Sequence, residues 1–254
     1  MAVVGQGDKM LNDPYIGFAE RYDWMKGQNP DRDLFFRKLF ESHKVSKVLD
    51  CACGTGHDLI LFNSFGCDVS GSDLSDSMLS RARNNIAEAR IDIPLKIADY
   101  RDLEKHYDSH FDAVVCLSNA INETLGDAET IRALYSMKTA LRTGGILVFD
   151  QGQTDASMRS PPKFVPVVNT RDCSRMFVMD YVGDVMKVDI FDFTHKEDCF
   201  DFYHTHVKVQ IRLKADWDRI LGKAGFTKIE YFGDWSFTQY DKGKSKRLIA
   251  VVQK

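Results

Sequence analysis

The chain has 254 residues, enough for one sizeable core, and a net charge of -3. That balance lacks the basic excess of a dedicated nucleic-acid binder, and no apolar run reaches the roughly 18 residues of a membrane helix. The first residues, MAVVGQGDKMLNDPY, lack the basic and apolar regions of a secretory signal, and six cysteines in so long a chain do not read as a disulfide framework.

Residues 31–43, DRDLFFRKLFESH, space Leu34, Phe35, Phe36, Leu39 and Phe40 as a helix does. KVLDCA reads as a strand and HDLILFNSFG as a helix closed by Gly66. CDVSGSD is the next strand, and Ser75 can cap the helix DSMLSRARNNIAEA. LKIAD and FDAVVCLS are further strands. DAETIRALYSMKTALRTGG is a helix with a glycine stop, and ILVFD is a fifth strand. Cys51, Cys53, Cys67 and Cys116 fall in or beside these apolar runs and read as reduced, core-packed thiols.

After Asp150 the rhythm changes. Residues 151–174, with Pro161, Pro162 and Pro166, read as loop. Residues 175–213 alternate in steps of two: Tyr203, Val207, Val209, Ile211 and Leu213 share one face, and His204, His206, Lys208, Gln210 and Arg212 the other. The helix KADWDRILGKAGF and the strands TKIEYFGDWSF and KRLIAVVQK resume the first pattern, with the basic DKGKSKR as the hairpin between the last two. The expected fold is α/β: a doubly wound, mostly parallel, seven-stranded Rossmann-like sheet with an antiparallel β insert covering the site. One domain is expected over 1–254. It has an N-terminal cover segment at about 10–43, a cofactor-binding core at about 44–150 and 214–254, and the insert at about 151–213.

Ligands of such sheets bind at the carboxyl ends of the strands. Gly54 and Gly56 occupy the first strand-to-helix turn, where glycine permits close approach of a ligand. A dinucleotide fingerprint needs a third Gly or Ala where this chain has Leu59, and Asp58 would repel a phosphate, so a nicotinamide oxidoreductase is not supported. Asp73 ends the second strand, where a carboxylate can accept both ribose hydroxyls, and Asp99 ends the third, where one can accept from an adenine amino group.

The runs VLDCACGTG, GSDLSDSMLSRAR, IADYRDL, FDAVVCLSNAIN and LRTGGILVFD together resemble class I S-adenosylmethionine-dependent methyltransferases. The flanks YIGFAERYDWMKGQNPDRDLFFRKLF, CLSNAIN and FDQGQTD, with the late β insert, are similar to glycine/sarcosine N-methyltransferases and amino-sugar N,N-dimethyltransferases. The resemblance implies S-adenosyl-L-methionine as cofactor, held by Asp50, Ala52, Gly54, Gly56, Asp73, Leu74, Met78, Asp99, Tyr100, Cys116 and Leu117. From the N-terminal segment it implies Tyr15, Tyr22 and Trp24, whose aromatic faces attract a sulfonium, and Arg32, whose fork matches the cofactor's carboxylate.

The implied reaction is in-line methyl transfer to a small molecule, with an amine as the first expectation and oxygen or carbon as alternatives. A non-catalytic cofactor-binding protein is the alternative of another class. Asn119, Gln151 and His206 are the catalytic candidates, with His204 as a rival base. Asn122, Gln153, Arg175 and Tyr240 are the substrate-binding candidates; Arg175, to hold an acceptor carboxylate, competes with Arg159, Arg171 and Arg212. Gln151-Gly-Gln-Thr154 stands where the glycine enzymes carry a His-Arg-Asn-Tyr-like run, and LSNAIN lacks the Pro-Pro of base methyltransferases. His204 and His206 form an incomplete chelate, so no metal is expected. A cytoplasmic enzyme with no nucleic-acid or membrane partner is expected, its assembly as a homo-oligomer left open.

Overall fold

A computed structural model describes residues 13, 15–25, 27, 29–108 and 110–254. The start of the expected cover segment, 10–12, and residue 14 lie outside the described residues, as does nearly all of the stretch read for a signal.

The first helix among the described residues is α1, Ala19–Tyr22, and α2 spans Pro30–His43. Asn29 starts α2 by accepting from the Arg32 amide at 3.1 Å, Pro30 supplies a preset first turn, and Lys44 at φ 52° ends it. Next come β1 (Lys47–Asp50), α3 (His57–Ser64), β2 (Asp68–Asp73), α4 (Asp76–Glu88), β3 (Leu95–Ile97), β4 (Phe111–Cys116), α5 (Asp127–Ala140) and β5 (Leu141–Gln151). Ser75 caps α4, its hydroxyl accepting from the Met78 amide at 3.1 Å. The insert carries β6 (Phe164–Asn169), β7 (Cys173–Val182), β8 (Val185–His195) and β9 (Phe200–Gln210). Helix α6 (Lys214–Lys223), β10 (Lys228–Phe232) and β11 (Leu248–Gln253) follow.

Seven strands form one sheet in the order β10-β11-β5-β4-β1-β2-β3, parallel except around β11, which runs antiparallel to both neighbours. The fully buried strand β4 lies at its centre. One apolar layer, with Trp217, Leu134 and Phe149, covers one face; α2 and α3 cover the other with Phe36, Phe40 and Phe62. The insert is a separate four-stranded sheet, β6-β7-β8-β9. Its inner face packs Met179, Met186, Val188, Ile190 and Val209 against Phe18, Ala19 and Met78.

Three local expectations need correction. Helix α5 stops at Ala140, short of the glycines, because β5 already begins at Leu141; Gly145 sits where a Cβ would lie 3.0 Å from two carbonyl oxygens. The stretch read as loop contains β6, an edge strand, which tolerates Pro166 because no neighbour needs its missing N–H. Gln210 and Arg212 are buried, because the chain leaves the insert there and turns into the main domain: Arg212 donates to the Thr124 carbonyl at 2.9 Å and to the Thr130 hydroxyl at 2.6 Å.

Candidate active site

A cavity of about 680 Å³ opens at the carboxyl ends of β1 to β4, within the range of small-molecule sites. Its floor is the turn after β1. Gly54 (φ 52°) and Gly56 (φ 82°) both take the left-handed conformation that side-chained residues avoid. A Cβ on Gly54 would meet only the Tyr22 ring, at 3.9 Å, so the backbone there faces open space. Asp73 ties the floor to the wall: it accepts from the Gly54 amide at 2.8 Å and the Ser75 amide at 2.9 Å. Burial nevertheless raises its pKa above the ordinary value, those amides working against the shift.

Asp99 follows β3 and is gripped by Arg101, which donates through Nε to both oxygens at 2.9 Å and through Nη2 at 2.5 Å. Burial opposes ionisation there, but the guanidinium's hydrogen bonds win and hold the carboxyl below its usual range. Tyr100 bonds the Thr124 hydroxyl at 2.6 Å and so pins the short 3-10 turn Ala120–Glu123 that follows β4. Ser118 and Asn119, just before that turn, both adopt positive φ, a strained geometry that clusters at functional sites. The Asp150 carboxylate accepts from the Ser118 amide at 2.8 Å, and the Asn119 side chain accepts from the Gly152 amide at 2.8 Å.

The N-terminal segment closes one side. Asp23 accepts from Thr55 Oγ1 at 2.6 Å and from Arg81 and Asn85 at 3.1 Å each, so its helical turn is fastened to the glycine loop. This places Tyr15 and Tyr22 on the cavity. Arg32 donates to Asp58 at 2.7 Å, and Asp58 lines the cavity.

The cavity thus brings together Tyr15, Tyr22, Ala52, Gly54, Asp73, Leu74, Met78, Asp99, Tyr100 and Leu117 of the expected cofactor residues. Asp50, Gly56, Cys116 and Arg32 stand behind this lining, and Trp24 lies against Arg175 of the insert. Asp50 accepts from the Ala52 amide at 3.2 Å, Gly56 presses on Ala82, and Cys116 is fully buried.

The acceptor candidates fare differently. Gln151 is buried, and both ends of its amide are used. Its oxygen accepts from Asn122 at 2.9 Å and Trp217 at 2.8 Å, and its nitrogen donates to the carbonyls of Gln153 and Arg212. Gln151, Asn122 and Gln153 therefore form a buried network beneath the site rather than its surface. Tyr240 is turned to Asp155, donating to its carboxylate at 2.8 Å. Arg175 is 1% exposed and locked to Asp192 through two hydrogen bonds of 2.6 and 2.7 Å, under the rings of Phe18 and Trp24.

His206 is exposed on the face of β9 opposite to Tyr203, the face turned away from α1, and His204 beside it pairs with Asp189 at 2.7 Å. Strand alternation carries both histidines away from the cavity. Among the described residues, no group of three or more His, Cys, Asp or Glu is placed to hold a metal ion.

Sequence reasoning missed Asp13, Ser75, Ser118, Thr124 and, above all, Glu123. Glu123 directly follows the CLSNAIN run, and that position just past a strand-four motif is the signal that could have found it.

Comparison with known proteins agrees with this architecture. Residues 48–145 match the family model described as Methyltransferase domain. A glycine/sarcosine N-methyltransferase of Aphanothece halophytica is 26% identical over 241 residues, covering 93% of this chain and 88% of that protein. An S-adenosylmethionine-dependent methyltransferase structure from Clostridium acetobutylicum superposes with a TM-score of 0.81 at 17% identity, covering 94% of this chain and 98% of the other. The S-adenosylmethionine-bound amino pentose methyltransferase CalS10 of Micromonospora echinaspora superposes with a TM-score of 0.74 at 20% identity, covering 93% and 96%.

Proposed function

We propose that this chain, which carries an S-adenosylmethionine-dependent methyltransferase domain, methylates the nitrogen of a small amine. The observation that carries the proposal is the charge of the cavity: among the described residues Asp13, Asp58, Asp73, Asp99 and Glu123 line it against the cation Arg101, with Arg32 behind Asp58. Such a lining favours cations, and both a sulfonium cofactor and an ammonium acceptor are cationic.

The residues fit the cofactor. Asp73 stands where a carboxylate can take two ribose hydroxyls, with Asp99 and Tyr100 beside the base. The Cβ-free Gly54 leaves room for the methionine part, under the rings of Tyr15 and Tyr22. Arg32 can reach a carboxylate from behind Asp58. When bound, S-adenosylmethionine supplies a methyl group already activated on a positive sulfur. The chain's own part is to align the nitrogen and exclude water, which is worth up to roughly 7–11 kcal/mol in favourable cases.

The names of the relatives, a glycine/sarcosine and an amino pentose methyltransferase, support nitrogen as the methylated atom. Buried Arg175 is already paired with Asp192, which weighs against an amino acid whose carboxylate would need that arginine.

The test is a screen of small amines, amino sugars and amino acids with the full chain and S-adenosylmethionine, read by mass spectrometry of the product. N-methylated product is expected. Transfer to oxygen or carbon alone would reject the amine reading, and cofactor binding without transfer to any compound would reject catalysis.

A further inference from the structure

Of the five described carboxylates on the cavity, four are occupied. Asp58 takes Arg32, Asp99 takes Arg101, Asp73 takes two backbone amides, and Asp13 takes the hydroxyls of Ser75 and Ser77 at 2.7 and 2.8 Å. Glu123 differs: its carboxylate faces the cavity with one hydrogen bond, accepted from the Tyr15 hydroxyl at 2.5 Å. No described cation lies within ion-pair reach of it.

We propose that Glu123, oriented by Tyr15, receives the acceptor amine as its ammonium cation and takes the proton that must leave before nitrogen can attack. The inference rests on the methyltransferase reading above. The N–H bond breaks, its electron pair remains on nitrogen as the attacking lone pair, and the proton passes to the Glu123 carboxylate and from there to water. The site is equipped for a cation with no carboxylate near its nitrogen, because Arg101 on the cavity is committed to Asp99 and Glu129.

Tyr22 links this group to the cofactor seat: its ring lies against Gly54, and the Glu123 charge is the strongest it feels. Among the described residues, the titratable groups facing Glu123 are Tyr15 and Tyr22 from the N-terminal segment, Asp73 at the end of β2 and Tyr100 after β3. Glu123 keeps solvent contact through the cavity, but partial desolvation of its carboxyl raises its pKa, the Tyr15 hydrogen bond pulls against it and the Asp73 charge adds to it, giving about 7 against an ordinary 4.5. An ordinary ammonium has a pKa near 10. The raised value therefore makes proton transfer from it less unfavourable.

Sinefungin tests this without turnover. It carries a primary ammonium where S-adenosylmethionine carries its methyl sulfonium, whereas S-adenosylhomocysteine has a neutral sulfide. Calorimetry on the full chain at pH 8 should show sinefungin favoured over S-adenosylhomocysteine by roughly 10- to 100-fold. The preference should fade as the pH falls through 7, as Glu123 gains its proton. Glu123→Gln should abolish the preference and leave S-adenosylhomocysteine affinity unchanged.

Tyr15→Phe removes the hydrogen bond that favours the charged form and should move the fading point to higher pH; this second variant decides the matter if the first does not fold. An unchanged preference in Glu123→Gln, or an unmoved fading point in Tyr15→Phe, overturns the proposal. Loss of S-adenosylhomocysteine binding in a folded Glu123→Gln also overturns it, by assigning Glu123 to the cofactor seat. Failure of the unaltered chain to bind either compound overturns the methyltransferase reading itself.

Discussion

Asp192→Ala is the sharpest structural test, because it strikes the contact that fastens the N-terminal segment to the insert. Asp192 is 1% exposed and accepts from Arg175 Nε and Nη2 at 2.6 and 2.7 Å and from Arg21 Nε at 3.1 Å. Arg175 in turn donates to the Arg21 carbonyl at 3.0 Å, while its Nη1 has no hydrogen-bond partner among the described residues. Removing the carboxylate leaves a buried guanidinium with that carbonyl and two aromatic rings to compensate its charge. Breaking a buried pair from one side costs about 3–5 kcal/mol, which for a chain of this size is a fall in Tm of roughly 6–20 °C. The double change Arg175→Met with Asp192→Leu removes the fully buried pair, leaves the partly exposed Arg21 on the Tyr203 ring, and should recover most of that loss. Urea unfolding followed by circular dichroism measures both. A cost below about 1 kcal/mol for Asp192→Ala, or a double variant no better than the single one, would refute the clamp.

Two further outcomes follow from the same geometry. Asp73→Ala should weaken S-adenosylmethionine binding by roughly 10- to 100-fold in calorimetry, the worth of charge-assisted bonds to ribose hydroxyls; an unchanged Kd would remove Asp73 from the cofactor site. At the opposite end of the sheet, burial works against ionisation of Asp112, but bonds from Arg142 and from the Ser46 and Lys47 amides hold its pKa at about 2, against 3.8 in an unfolded chain. A depressed carboxyl stabilises the fold above pH 3.8, and that share is lost as pH falls towards 2; Asp112→Asn should therefore flatten this limb of the stability profile, and an identical acid limb would contradict the assignment.

The alternation of strands and helices was legible because each face of the sheet is covered by one kind of pattern, and the acids at strand ends were legible because strand ends can be read from periodicity. What was hidden depended on partners distant in sequence. Glu123 meets Tyr15 across 108 positions, so no local pattern ties them. Arg175 sits in an alternating strand, and alternation alone does not say which face another segment covers; the structure lays Phe18 and Trp24 over it. Gln151 has the polarity of a site residue, and only the position of Trp217, 66 residues later, turns it into an interior hydrogen-bonding hub.

The place of β11 has a consequence for folding. Its residues, Leu248–Gln253, lie between β5 and β10, so the edge of β5 waits almost a hundred residues of synthesis for its partner. Through that interval Ile146, Val148 and Phe149 belong to a strand with one open side. Open apolar edges invite pairing with other chains. The nascent chain is therefore most exposed to misassembly late in synthesis, and substitutions in Leu248–Gln253 should lower the yield of folded protein as well as its stability.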